Sequence, residues 1–149
     1  MIRAPHAKYV LDASVAAKWF TRHDEADRHT AVSLRSLHQS GRCTLVVPDF
    51  SLLEIVNAVR YSERAEEEDA AQALRLLERL RLDIVRLDWK LIRQATAVAW
   101  EYRVAVYDAV YVALAEREGF PLLTADDVMV KKMKGHSLIV PLRDMELAQ

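Results

Sequence analysis

Between Tyr107 and Ala115 the chain reads Tyr-Asp-Ala-Val-Tyr-Val-Ala-Leu-Ala, a helical stretch with apolar side chains on every face and a single carboxylate. A helix that lacks a polar face is a buried one, so this segment must lie between other layers of the fold. Asp108 is its anomaly, because aspartate is almost never fully buried unless it is paired or bound. Two readings are open. Asp108 caps the helix, accepting amide hydrogen bonds at the positive end of the dipole, or it joins other acids in a site.

The rest of the chain supplies the layers around it. Residues 8–12 form a short apolar run ending in Asp12, followed by Ala13, by Ser14 as a candidate cap, and by a short helical stretch with Trp19 and Phe20. Asp24 predicts the cap of a helix carrying Ala31, Leu34 and Leu37, closed by Ser40-Gly41. Residues 44–47 read as a strand stopped by Pro48. Ser51 and Glu54 have the spacing of a capping box, predicting a helix over 50–64. On its wheel Glu54 lies with Phe50, Asn57, Ala58 and Tyr61, opposite Leu52, Ile55, Val56 and Val59. A lone glutamate among aromatic and small residues suits a cleft or an interface as well as it suits a cap.

Glu66-Glu67-Glu68-Asp69 opens another helix, with Leu74, Leu77 and Leu80 inward and arginines toward its end, an order that matches the helix dipole. Residues 82–87 alternate like a strand, and Asp88 then starts a helix with Leu91, Ile92, Ala95, Val98, Ala99 and Tyr102 at helical spacing. Gly119 stops the Asp108 helix, residues 121–124 form a strand, Asp127 caps a basic helix around 130–134, and 138–140 is a last strand. Strands alternating with helices predict an α/β sandwich whose mainly parallel, five-stranded sheet is covered on both faces.

Length and composition narrow the function. The 149 residues suit one domain over 1–149, and three glycines and four prolines leave room for mostly regular structure. The single Cys43 excludes an intrachain disulfide and fits a reducing compartment. No run has the roughly 18 apolar residues of a membrane span, and no apolar leader follows basic residues, so a cytoplasmic location is expected. Lysines and arginines total 21 against 22 acids, so an anionic partner would be met by local basic clusters rather than by a global field.

In open parallel sheets, ligands bind outside the carboxyl ends of the strands. Asp12 closes the first strand and Asp126 follows the fourth, so both belong to that edge. The edge at which Asp108 starts its helix is open on sequence alone, and Glu54 begins its own helix. Two like charges about 4 Å apart repel by roughly 4 kcal/mol at an effective dielectric of 20, so such a cluster needs a cation. All-oxygen ligands without compact Cys/His spacing favour Mg²⁺ or Mn²⁺ over Zn²⁺; His23 and His29 read as surface residues. Carboxylates holding such an ion suit hydrolysis of a nucleic-acid backbone.

In family order, these pieces resemble the PIN-domain family, and within it the VapC-type toxins of toxin–antitoxin pairs. They are Val10-Leu11-Asp12-Ala13-Ser14, Glu54 with Asn57, Tyr107-Asp108-Ala109 with Tyr111, Ala113, Leu114, Ala115 and Glu116, and Leu123-Thr124-Ala125-Asp126. The resemblance implies a three-layer α/β/α fold and RNA cleavage by an acidic quartet, Asp12, Glu54, Asp108 and Asp126, with Mg²⁺ or Mn²⁺. Asp12, Asp108 and Asp126 would be the direct metal ligands, with Glu54 acting through water or as a base, and Ser14 and Thr124 as hydroxyl supports. It also implies a homodimer and a VapB-type antitoxin that blocks the site, for which Trp19, Phe20, Phe50 and Tyr61 are candidate groove residues. Lys131, Lys132, Lys134 and His136 are a candidate rim for RNA phosphates. An aspartyl phosphatase would want a second aspartate beside Asp12, and a phospho-accepting receiver a lysine on the last strand; neither is present. The alternative is a catalytically weak or inactive relative that binds RNA or protein.

Overall fold

A computed structural model describes residues 6–21 and 27–147. Five parallel strands form one sheet in the order β3-β2-β1-β4-β5. They are β1 (Ala7–Leu11), β2 (Cys43–Pro48), β3 (Asp83–Val85), β4 (Leu122–Thr124) and β5 (Ile139–Pro141). Val10 lies opposite Val46 on one side and Leu122 on the other, which makes β1 the centre. Val10, Leu11, Leu45, Leu122 and Leu123 are wholly buried, as expected of apolar strands covered on both faces.

Among the described residues, seven α-helices connect these strands: α1 (Ala13–Ala16), α2 (Arg28–Gln39), α3 (Ser51–Arg60), α4 (Glu67–Leu80), α5 (Trp89–Tyr102), α6 (Val106–Glu118) and α7 (Asp127–Lys132). Because parallel crossovers are right-handed, the connections that step from β1 to β2 and β3 share one face, and those that return to β4 and β5 share the other. The packing agrees: α1 lies on α3, and α4 on α2 and α3, while α5 packs on α6. The result is the expected three-layer sandwich.

Several local expectations are corrected. No capping box forms at Ser51 and Glu54; Phe50 is the N-cap without a side-chain bond, Ser51 is buried, and α3 ends at Arg60 rather than Arg64. A reciprocal contact of that kind occurs where the acid run opens α4, with Asp69 accepting the Glu66 amide at 2.8 Å. Asp24 lies outside the described residues, and α2 is preceded by Asp27 in the left-handed region at φ 62°. Strand β3 keeps only three residues, for it is an edge strand with Asp83 and Ile84 exposed. Helix α7 starts earlier than expected because Asp126 caps it, not Asp127.

Helix α6 is the buried one. Seven consecutive residues, Ala109–Ala115, are buried because α6 lies against α5 on one side and against β1, β2 and β4 on another. Gly119, at φ 73°, ends it in the left-handed conformation that glycine adopts without strain. Leu114 is wholly buried in this layer, so Leu114→Ala should cost about 2–5 kcal/mol of stability. Urea unfolding would show it as a lower midpoint at unchanged slope.

Candidate active site

The order of the strands places the site. From β1 the chain steps outward to β2 and β3, then returns past β1 to β4, so the crossovers diverge between β1 and β4. Such a switch point opens a crevice at the carboxyl ends of its two strands. Asp12 follows β1 and Asp126 follows β4, which puts both acids at that crevice.

Asp12 is only 5% exposed. Its Oδ2 accepts hydrogen bonds from the Ser14 hydroxyl at 2.7 Å and the Thr124 hydroxyl at 2.8 Å. Ser14 Oγ also accepts the Ala125 amide at 3.0 Å, and Thr124 Oγ1 the Asp126 amide at 3.0 Å. The hydroxyls therefore tie the ends of β1 and β4 together around one carboxylate. Ser14 is no helix cap; Asp12 occupies that position by backbone alone. Asp126 turns Oδ1 to the amides of Val128 and Met129 at 3.0 and 3.1 Å, capping α7. Asp127 instead pairs with Arg143.

Asp108 arrives from the other face. It sits in the first turn of α6, but the N-cap is Ala105, so the capping reading fails. The edge left open by the sequence is the carboxyl edge, since Asp12 and Asp126 both raise the Asp108 pKa by their charge. The hairpin of α5 and α6 explains this: Arg117 near the end of α6 bonds Asp88 at the start of α5 at 3.3 Å. Helix α6 thus starts at the carboxyl edge and delivers β4 from the opposite one. Tyr111, one turn on, donates its hydroxyl to Glu54 Oε1 at 2.7 Å. This role was not legible in the sequence, where Tyr111 reads as packing. A tyrosine hydroxyl needs a partner when buried, and Tyr111 is wholly buried.

Carboxylates from four elements are thus near enough to act on one another by charge: Asp12 on Glu54 and Asp108, Asp108 on Glu54, and Asp126 on Asp12 and Asp108. Burial is the largest cause of a raised pKa at Asp12, with the Asp126 charge adding to it against the hydroxyl bonds. Burial also leads at Glu54 and Asp108, with the charges of their acidic neighbours adding. Among the described residues no three His, Cys, Asp or Glu side chains could hold an ion as they stand, so sharing one would require them to close around it. The donor chemistry fits a hard divalent cation: all ligating atoms are carboxylate oxygens, and their repulsion is what such an ion relieves. Asp12, Asp108 and Asp126 would hold it.

The remaining candidates divide. Asn57 is exposed and lines a hollow of about 530 Å³ with Leu53, Glu54, Val56, Arg60 and Ala70. Lys131, Lys132 and Lys134 are exposed, and the charge of Lys132 lowers the Asp108 pKa, placing it beside the site. His136 is no free rim residue: its Nε2 meets Glu116 at 2.8 Å and its ring packs on Tyr102. Trp19 is core, donating to the Ala31 carbonyl at 2.8 Å. Phe50 packs edge-to-face on Tyr111, and Tyr61 is exposed. His29 lines a cavity of about 830 Å³ against α2 that includes none of the four acids, and His23 lies outside the described residues.

The profile of the PIN domain matches residues 9–134, most of the chain. The chain belongs to the PIN-domain family. It is 32% identical over 141 residues to Ribonuclease VapC3 of Pyrobaculum aerophilum, a match covering 90% of this chain and 99% of that protein. Among solved PIN-like structures, a toxin–antitoxin complex from Klebsiella pneumoniae superposes with a TM-score of 0.66 at 14% identity, over 92% of this chain and 99% of that one. VapBC2 from Rickettsia felis, bound to a DNA fragment from the promoter, gives 0.64 at 16% identity, over 90% and 98%. At such identities these two structures share the fold.

The raised carboxylates of this PIN domain have a consequence for stability. Below the ordinary carboxylate range both folded and unfolded chains hold the protons, and no penalty exists. As pH rises through the raised pKa values of Asp12, Glu54 and Asp108, the folded state must give up protons it retains better than the unfolded chain, so stability is lost. The metal-free protein should therefore lose melting temperature as pH is raised above the ordinary carboxylate range toward neutrality, which thermal melts in metal-free buffer would show. Asp108→Asn should raise its melting temperature at pH 7, by roughly 2–4 °C for each kcal/mol relieved. A variant melting at or below wild type in metal-free buffer would contradict this electrostatic account.

Proposed function

We propose that the chain is a metal-dependent endoribonuclease, the toxin of a VapBC-type toxin–antitoxin pair. The observation that carries this reading is the convergence of Asp12, Glu54, Asp108 and Asp126 at the switch point, with Asp12 locked by Ser14 and Thr124. The similarity to Ribonuclease VapC3 over nearly the whole of both chains supports RNA as substrate. Mg²⁺ or Mn²⁺ at Asp12, Asp108 and Asp126 would supply Lewis acidity toward the phosphoryl oxygens and cancel the repulsion among the acids.

The protein's own groups do the rest. Hydroxyl bonds to Asp12 and amide bonds to Asp126 orient both side chains through one oxygen each, so that only the closing of the acids around the ion is left to binding. The Tyr111 hydroxyl, its pKa pushed far above the ordinary value by burial, stays protonated and holds Glu54 Oε1. That leaves Glu54 Oε2 to take a proton from the water that attacks phosphorus, while the bond to the leaving ribose oxygen breaks in line and solvent water gives that oxygen its proton. Exposed Lys132, beside Asp108, meets a neighbouring phosphate.

The partner follows from the same site. The hollow holding Glu54 and Asn57 adjoins the acids, and a bound VapB-type antitoxin segment there would exclude RNA. The toxin–antitoxin complexes among the structural neighbours support such a partner. A cytoplasmic homodimer completes the reading. Asp12→Asn and Asp108→Asn should each lower RNA cleavage at least 100-fold while circular dichroism stays native, and chelation of divalent ions should abolish cleavage by the wild type. Cleavage that survives in both variants, or in excess EDTA, rules the reading out.

A further inference from the structure

We infer that Tyr107 is a base-stacking platform that seats one unpaired nucleobase of the RNA beside the scissile phosphate. The inference rests on the ribonuclease reading of the acidic site. Tyr107 immediately precedes Asp108 in the first turn of α6, yet its side chain is 70% exposed. Its ring is not loose: it meets Phe50 in a T-shaped contact, with centroids 6.1 Å apart and planes at 78°. Phe50 in turn meets Tyr111 at 5.6 Å and 76°, and Tyr111 bonds Glu54. A solvent-facing aromatic is therefore held in a set pose by the same ring stack that positions a site acid.

An exposed ring at a protein partner's interface would serve equally in shape, but its place favours the nucleic acid. It lies one residue from a carboxylate that faces the phosphate, with the cation of Lys132 acting on that carboxylate. Tyr107 and Asp108 share the first turn of α6, so a strand bound at Asp108 has the exposed Tyr107 ring within reach of a neighbouring base. Every base has a π-face, so stacking orders the strand without reading its sequence, and it requires a base free of its duplex partner.

The test uses a short single-stranded oligoribonucleotide spanning a cleavage site mapped in total RNA. Tyr107→Ala should raise KM by about 5- to 100-fold with kcat nearly unchanged, as expected for one stacked base, and Tyr107→Phe should restore it. Replacing the stacked nucleotide by an abasic one should raise the wild-type KM equally and leave Tyr107→Ala unaffected. Trp89→Ala should leave both constants unchanged, since Trp89 is 74% exposed but sits at the end of α5 that meets Arg117, far from Asp108 along α6. Annealing the oligonucleotide to its complement should abolish cleavage. The inference falls if Tyr107→Ala leaves KM unchanged while weakening only a protein complex, if Tyr107→Phe does not restore KM, or if the duplex is cut as well. If the wild type cuts no RNA, the ribonuclease reading falls and takes this one with it; if the wild type cuts and Tyr107→Ala cuts equally, only this one does.

Discussion

Everything in this structure depends on keeping a carboxylate at the end of the central strand, almost sealed from water. Isolated burial of such a charge is prohibitive, and the chain either pairs it or protonates it. At Asp12 it supplies two hydroxyls, Ser14 and Thr124, and both reach the same oxygen. These bonds favour the charged form, but burial outweighs them, and the pKa stays raised. The compensation at Asp12 is unfinished, and under the proposed function a divalent cation would supply the missing counter-charge.

The same incompleteness recurs around it. Asp126 is half committed to capping α7, and Glu54 half committed to Tyr111, each through a single oxygen. Asp108 accepts no hydrogen bond from the described residues; what it has is the first turn of α6, whose dipole favours an anion there. Side chains held by one oxygen are oriented yet retain a donor atom. Ordinary structural carboxylates in this chain behave differently. Asp88 caps α5 through its bond with the Leu91 amide, and its pKa is lowered, that bond being the largest cause. The cap at Asp88 lowers its pKa, whereas burial raises those of Asp12, Glu54 and Asp108.

That contrast explains what could be read from the chain beforehand. The parallel strands, the buried helix and the acids closing β1 and following β4 were legible because each shows in local pattern, an apolar run with an acid at its end. The edge at which Asp108 lies was not, since it depends on the α5–α6 hairpin and the strand order. The cap readings of Ser14 and Glu54 failed for one reason: both have the local spacing of caps, and in both a contact distant in sequence, to Ala125 and to Tyr111, engages the side chain instead. Ser14 turns to Asp12 and Ala125, and Glu54 to Tyr111, fifty-seven residues away. Local rules failed where long-range polar contacts assemble the site, as expected when function competes with local consistency.

The aromatic residues carry this one step further. Phe50 opens α3 and touches two tyrosines of α6, one wholly buried and one largely exposed. Helix α6 presents both because Tyr107 and Tyr111 stand four residues apart, one turn, on a single face. The inner tyrosine ends on a carboxylate and the outer one on solvent, so α3 and α6 are joined by a wall whose inner side belongs to the chemistry and whose outer side faces whatever approaches. Both contacts are edge-to-face, the arrangement that aromatic quadrupoles favour. The tyrosine that holds Glu54 and the tyrosine that faces solvent thus pack on one residue, Phe50, where the two faces of the sandwich meet.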